Sequence, residues 1–146
     1  MESHKLALRV EKLGRFLQFI TAAMAEVQYS AAPVEQIIVK HGSDLNFLSA
    51  CTDRCKDGGT FNEAWTAAVK SEAKNEGFKD KDIELLLGFG SGFGASDTNG
   101  QVSHCRLYSN LTAENLKTAK EEQTRKSRLY QMLGIFAGIS LSLLLT

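Results

Sequence analysis

The sequence predicts an all-α protein: an antiparallel bundle of about six helices, followed by a C-terminal transmembrane helix. Apolar residues recur at three- and four-residue spacing from the N-terminus onward, which is the period of an amphipathic helix. No stretch alternates apolar and polar residues as a half-buried strand does, and one proline in 146 residues is fewer than a turn-rich β-sandwich carries. The last eighteen residues carry no charge, which is typical of a membrane span.

The composition narrows the function classes. The chain carries 17 basic and 17 acidic residues, so its net charge is zero, and we do not expect a nucleic-acid binder, which needs a basic excess. Three cysteines are an odd number, so a disulfide scaffold is not expected and a reducing compartment suits the thiols. Charges are scattered through the first fourteen residues, so we expect neither a signal peptide nor a spanning helix there.

The first predicted helix ends near Tyr29–Ala32. Its apolar residues are spaced alternately by four and three positions, which is the pattern of a continuous buried seam. The seam residues are Leu6, Val10, Leu13, Leu17, Ile20, Met24 and Val27. Glu11 and Arg15, four positions apart, form a favourable pair beside the seam. We therefore expect seven apolar side chains of this helix in the core.

Two shorter helices follow. Pro33 suits a first helical position and Gly42 a stop, so the second helix is predicted over about 33–41. Ser43 or Asp44 is expected to cap the third helix at its N-terminus.

Capping signals define three further helices. Thr60 followed by Glu63 is the pattern of a capping box and begins the fourth helix. The fifth helix is predicted to run from about Lys79 into a glycine-rich segment. Ser96 and Asp97 are suitable caps for a last long helix, which starts directly after them and runs into the uncharged tail.

The glycine-rich segment, "LLLGFGSGFGASD", has glycine at four alternate positions: Gly88, Gly90, Gly92 and Gly94. Residues 90–95 match G-x-G-x-x-A, but a dinucleotide site needs a strand before this motif and a βαβ unit around it. Helical charge spacing precedes it instead, and no Lys-Ser/Thr pair of a P-loop follows. We expect the glycines to loosen a helix end and allow close packing, with Phe89 and Phe93 pointing inward.

Thiols and one imidazole are the candidate metal ligands of the sequence. Cys51 and Cys55 share one helix face, and with His104 and Cys105 they supply four ligands of the two types, thiolate and imidazole, that structural zinc sites use. The spacing lacks the C-x₂-C knuckle of structural zinc sites, so small buried thiols are the preferred interpretation.

Carboxylates are predicted to be solvated rather than catalytic, because they lie in charge-rich segments. The pairs are Glu72/Glu76, Asp80/Asp82 and Glu121/Glu122. The three histidines have no acid or nucleophile partner in the sequence. We therefore predict no enzyme: no catalytic residue, no metal ligand, no cofactor and no small-molecule substrate.

The uncharged tail predicts a membrane helix. Residues 129–146 reach about 27 Å at a rise of about 1.5 Å per residue, against a hydrocarbon core of about 30 Å. Arg125, Lys126 and Arg128 directly before it favour the cytoplasmic side. A buried C-terminal core helix is the alternative. The predicted domains are thus a soluble bundle over 5–128 and a transmembrane helix over 129–146.

Small residues follow one face of that tail. Gly134 and Gly138 form a G-x-x-x-G motif, and Ser142 extends it by a turn. In a membrane helix such a face lets another helix approach closely, so we predict a helix-packing role for these three residues.

Four segments in order resemble the stage III sporulation protein AB family. They are "AEVQYSAAPVEQII", "TFNEAWTAAV", "DIELLLGFGSGFGASDTNGQ" and "YQMLGIFAGISLSLLL". The likeness extends over about residues 10–145, and it rests on the order and spacing of the segments rather than on one motif. Members of that family usually begin with another membrane helix, for which the start of this sequence has no counterpart.

The resemblance implies a non-enzymatic, membrane-anchored component of the channel that links mother cell and forespore, with a domain similar to type II secretion platform proteins. It implies a secretion-type ATPase, other membrane subunits of the channel and membrane lipid as partners. The implied location is the mother-cell membrane around the forespore, with the bundle in the cytoplasm. Matching positions have structural roles at helix junctions: Tyr29, Pro33, Trp65, Gly94, Ser96, Asp97 and Gln101. A tail-anchored adaptor unrelated to sporulation is the alternative function.

Overall fold

Six α-helices make up the computed structural model, which describes residues 2–145 and has no strand in that range. The helices are α1 (Glu2–Tyr29), α2 (Val34–His41), α3 (Asn46–Lys56), α4 (Phe61–Glu76), α5 (Asp80–Gly92) and α6 (Thr98–Leu145). The predicted all-α class and the number of helices are confirmed. The uncharged tail is not a separate helix, because α6 continues into it without a break.

The two longest helices, α1 and α6, form the frame of the bundle and run antiparallel. Leu6 near the start of α1 lines the same groove as Thr124 of α6. Val27 near the end of α1 lies beside Gln101, at the beginning of α6. Helices α3, α4 and α5 pack in sequence on one another and complete the bundle.

The buried face of α1 is rotated from the predicted seam. Four predicted seam residues are buried: Leu6, Leu13, Ile20 and Val27. Three are only partly buried: Val10, Leu17 and Met24. Phe16 and Ala23 are fully buried in place of the last two. The rotation places the Phe16 ring 6.0 Å from Phe47 and 5.6 Å from Phe89, between centroids, where the aromatic core lies.

An aromatic cluster fills the centre of the bundle. Trp65 is fully buried and its indole Nε1 donates a hydrogen bond to the Leu86 carbonyl at 2.8 Å. Phe47 and Phe89 pack against the indole with ring centroids 5.4 and 5.6 Å away. Phe93 is buried beside Phe89, so both phenylalanines of the glycine-rich segment point inward as predicted.

Most of the glycine-rich segment is helix rather than loop. Gly88, Gly90 and Gly92 all lie within α5, so the prediction that the run loosens the helix end is wrong for the first two. Their use is close packing: a Cβ would overlap the Tyr108 ring at Gly88, the Trp65 indole at Gly90 and the His104 imidazole at Gly92. Gly94, with φ of +84°, forms the turn after the helix.

The N-terminus of α3 is capped by a side chain from another helix, whereas that of α4 is capped by the residue before it. Neither Ser43 nor Asp44 caps α3, because that helix begins at Asn46 after Leu45, which provides no side-chain bond. The cap comes from α4, where the carboxylate of Glu76 accepts hydrogen bonds from the backbone N–H groups of Asn46 and Phe47 at 2.6 and 3.0 Å. Thr60 caps α4 as predicted, accepting from the Glu63 N–H at 3.1 Å.

Candidate functional site

The turn between α5 and α6 is held by one side chain, Gln101. Its amide oxygen accepts from the Gly94 N–H at 2.8 Å, and its Nε2 donates to the Gly92 carbonyl at 3.3 Å. Nε2 also lies 3.5 Å from the Ser96 carbonyl. The Asp97 carboxylate accepts from the Gly100 N–H at 2.8 Å and caps α6. Four of the residues predicted at helix junctions thus lie together at the start of the longest helix.

This turn borders an open groove of about 440 Å³ at the end of the bundle farthest from the uncharged tail. Pro33, Gly94, Ser96 and Gln101 contribute to its wall, beside Phe61. We call this the distal groove. The other predicted residues lie elsewhere: Trp65 is in the core, and Tyr29 is 82% exposed at the end of α1.

A buried polar network joins three helices nearer the tail. Asp82 of α5 accepts from Arg9 of α1 through two hydrogen bonds of 2.7 and 2.9 Å. It also accepts from Asn115 Nδ2 of α6 at 3.0 Å and from the Lys79 N–H at 2.9 Å. The hydrogen bond to Asp82 raises the pKa of the Arg9 guanidinium. Every lone pair that Asp82 directs inward is therefore matched by a donor.

The prediction of solvated carboxylates is wrong for two residues. Asp82 is fully buried in that network, and Glu76 is 3% exposed where it caps α3. Lys12 of α1 lies 3.7 Å from the Glu76 carboxylate. Each acid follows an exposed residue in a charge-rich helix, so the neighbouring sequence does not indicate that its carboxylate is buried. Both carboxylates are therefore shielded from solvent and hydrogen-bonded to groups of the bundle itself.

The thiols sit in apolar surroundings. Burial raises the pKa of Cys51 to about 12 and that of Cys105 to about 11, so both stay protonated at neutral pH. His104 uses its Nε2 in a 2.7 Å hydrogen bond with the Phe89 carbonyl. Within residues 2–145, no three His, Cys, Asp or Glu side chains are grouped so that they could hold a metal ion.

The end of α6 leaves the bundle as a bare apolar helix. Its large apolar side chains from Leu129 to Leu145 are between 53% and 83% exposed. The alternative of a buried core helix is therefore wrong, because nothing in the described chain covers this segment. The stretch is long and apolar enough to cross a membrane, and such exposure in water would be unfavourable.

Comparison with known proteins decides the family. The family model described as stage III sporulation protein AB matches residues 1–146. The chain belongs to the stage III sporulation protein AB family. A solved structure of stage III sporulation protein AB has a TM-score of 0.72 at 20% identity, over 81% of this chain and 98% of that chain. At that identity the match supports the fold. No curated protein sequence matches the chain.

Membership of the stage III sporulation protein AB family gives the chain a role in sporulation. The predicted resemblance is confirmed, and an adaptor unrelated to sporulation is no longer an alternative. The family is a structural sporulation family and not a known enzyme family. The apolar end of α6 suggests that this member is anchored in a membrane.

The residues that sequence reasoning missed in this member of the family are those of the network of Arg9, Asp82 and Asn115. Arg9 lies between two apolar residues, on the side of α1 where buried residues recur. This position on the helix is the only local indication that its side chain is buried. For Asp82 the sequence does not show the burial, because its side-chain partners are 73 and 33 positions away.

Proposed function

We propose that the chain is a non-enzymatic, membrane-anchored structural component of the channel between mother cell and forespore. Its helical domain lies in the mother-cell cytoplasm and contacts a secretion-type ATPase and other membrane subunits of the channel. The observation that carries this proposal is the continuity of α6, which is a core helix of the bundle at one end and an exposed apolar helix at the other.

A single helix of 48 residues is about 70 Å long at about 1.5 Å per residue. The distal groove therefore lies about 45 Å from Leu129, where the apolar segment begins. A partner that pushes on the distal end acts on the same rigid element that enters the lipid. This supports a role in transmitting movement from a cytoplasmic motor to the membrane.

The bundle is built to move as one body around α6. The network of Arg9, Asp82 and Asn115 fixes α1, α5 and α6 to one another near the tail. Gln101 fixes the α5–α6 turn at the opposite end. Because α6 is held at two points about 20 Å apart along its axis, a load on the distal end is passed on rather than absorbed by a loop.

The buried carboxylates and thiols support a non-enzymatic role. The buried carboxylates Asp82 and Glu76 have their oxygens occupied by hydrogen bonds within the bundle. The buried thiols Cys51 and Cys105 have pKa values of about 12 and 11 because of their burial, which disfavours the reactive thiolate.

The proposed orientation of the chain in the membrane follows from the basic residues beside the apolar segment. Arg125, Lys126 and Arg128 lie directly before the apolar segment, and basic residues beside a spanning helix are retained on the cytoplasmic side. The helical bundle is on the same side of the segment as these residues, so we place it in the cytoplasm.

Photo-crosslinking in sporulating cells tests the ATPase contact. A photoreactive amino acid at Tyr29, which is exposed at the distal end, is expected to crosslink to the ATPase of the complex. The same amino acid at Lys81, exposed on α5 near the membrane end, serves as the matched control and is expected to give no such product. Absence of an ATPase product from Tyr29 and from other distal positions would contradict the proposed contact.

A further inference from the structure

The last turns of α6 before the apolar segment carry two arginines without an acidic partner in the bundle. Among the described side chains of residues 3–145, neither Arg125 nor Arg128 forms an ion pair with a carboxylate, whereas Lys126 lies 3.7 Å from Glu122. Both arginines are exposed and line an open groove of about 600 Å³ along α6, whose wall also carries Glu121, four positions before Arg125 and not paired with it. Their charge is therefore available to a ligand outside the bundle.

A second groove, of about 860 Å³, lies on the side of α6 that faces the start of α1. Arg128 lines this groove as well, whereas Arg125 lines only the first. Hydroxyl and amide groups of Ser127, Tyr130 and Gln131 accompany it, and no carboxylate is among the described residues of its wall. Hydrogen-bond donors around a guanidinium, without an acid, are the chemistry that binds a phosphodiester.

The height of these groups matches the lipid headgroup layer. Arg128 and Arg125 lie about 1.5 and 6 Å along the axis from Leu129, the first residue of the apolar segment. The headgroup layer of a bilayer is roughly 5–8 Å thick on each side of the hydrocarbon. Lys120 and Lys117, on the same groove, lie about 13 and 18 Å away and are outside that layer.

We propose that Arg125 and Arg128, with the donors of Ser127, Tyr130 and Gln131 beside Arg128, bind the phosphodiester headgroups of an anionic phospholipid, such as phosphatidylglycerol, in the two grooves around α6. We call these five residues the α6 collar. The proposal rests on the membrane anchoring proposed above, and adds a headgroup site with a charge preference. Such a site fixes the rotation of α6 at the membrane surface and therefore the direction in which the bundle faces.

Fluorescence quenching by brominated lipid tests the α6 collar in the full chain. Met132→Trp places an indole in the first turns of the apolar segment, outside the collar, while buried Trp65 contributes a constant signal. The protein is reconstituted in phosphatidylcholine nanodiscs with a minor fraction of either brominated phosphatidylglycerol or brominated phosphatidylcholine. We expect stronger quenching by the phosphatidylglycerol, since each arginine near the surface favours anionic lipid by about fivefold.

Two double variants in this Met132→Trp background distinguish a headgroup site at the α6 collar from long-range electrostatic attraction of anionic lipid. Arg125→Gln/Arg128→Gln is expected to abolish the preference for phosphatidylglycerol. Lys117→Gln/Lys120→Gln removes the same charge farther from the lipid and is expected to retain it. Soluble glycerol phosphate is expected not to displace the brominated lipid.

Three results would overturn the proposal. Equal quenching by both lipids in the protein with an intact collar would remove the preference itself. Equal loss in both double variants would indicate long-range attraction rather than a site, and displacement by glycerol phosphate would indicate a site for free phosphate. If neither lipid quenches the indole, the chain is not in the bilayer, and the membrane anchor of the proposed function is wrong.

Discussion

Arg9 and Asp82, 73 positions apart in the sequence, form a buried two-point ion pair with N–O distances of 2.7 and 2.9 Å. The pair joins the first helix of the bundle to the fifth, and Asn115 extends it to the sixth. A buried ion pair adds little stability over an apolar pair of the same shape, but removing one partner leaves a charge without compensation. Removing either residue of the pair alone is therefore expected to lower the stability of the bundle strongly.

Asp82→Asn is expected to lower the free energy of unfolding by about 3–5 kcal/mol, because it leaves the Arg9 guanidinium buried without its counter-ion. Denaturant unfolding of the full chain in detergent, followed by circular dichroism, measures the change. Arg9→Met combined with Asp82→Leu is the control and should recover most of the loss, since both charges are gone. A loss below about 1 kcal/mol for Asp82→Asn would show that the pair is not buried as described.

Two glycine-to-alanine variants test the packing in α5. Gly90→Ala places a methyl group in the Trp65 indole and is expected to destabilise the bundle by about 1–3 kcal/mol. Gly14→Ala is the matched control, because Gly14 lies within α1 with no atom near its missing Cβ. It should stabilise by roughly 0.5–1 kcal/mol through helix propensity alone. Thermal unfolding compares them, and equal effects would contradict the close approach at Gly90.

At acidic pH, Glu26 is the predicted contributor to the pH dependence of stability. The Lys40 ammonium at 2.7 Å, with His41 at 3.1 Å, lowers the pKa of Glu26 from 4.5 to about 2. Since the folded-state pKa is lower than the unfolded one, the stabilisation is present above pH 4.5 and is lost as the pH falls toward 2.

Unfolding free energies of the natural protein and of Glu26→Gln, measured across this range, check the prediction. The advantage of the natural protein over the variant should shrink as the pH falls, and Glu11→Gln, on an exposed pair, should show a smaller change. An advantage that does not change with pH would contradict the role of Glu26.

The small face of the apolar segment stays a prediction with a clear test. A Cβ at Gly134 or Gly138 meets no atom within 4 Å, so larger residues there leave the bundle intact. Gly134→Ile/Gly138→Ile is expected to weaken co-purification with the other membrane subunits, because the face no longer admits a close helix. Leu133→Ile/Ala137→Ile is the control on neighbouring positions. Unchanged co-purification in both variants would end the packing hypothesis.

Helices and most of their ends could be predicted from the sequence because their signals are local. Thr60 and Asp97 cap α4 and α6 from within the preceding turn, as their positions indicate. The rotation of α1 could not be predicted, because Phe16 and Leu17 are adjacent apolar residues and either one completes a seam. Tertiary packing decides between them, since only Phe16 reaches the rings of Phe47 and Phe89.

The polar connections of the bundle could not be predicted, because the partners lie far apart in the sequence. The cap of α3 is the clearest case: Ser43 and Asp44 have the right chemistry at the right place, yet Glu76 provides the bonds from α4. The family resemblance predicts Gln101 at a helix junction, but its hydrogen bonds to Gly92 and Gly94 are seen only in the structure.

The central claim is that α6 is one unbroken helix from the bundle into the lipid. Electron–electron double resonance between spin labels at Asn110 and Ser140, both exposed, measures this directly in lipid nanodiscs, with the three native cysteines replaced by alanine. A continuous helix predicts a narrow distance distribution near 45 Å, from about 1.5 Å per residue. A shorter or broad distribution would place a hinge between bundle and membrane segment and would contradict the account.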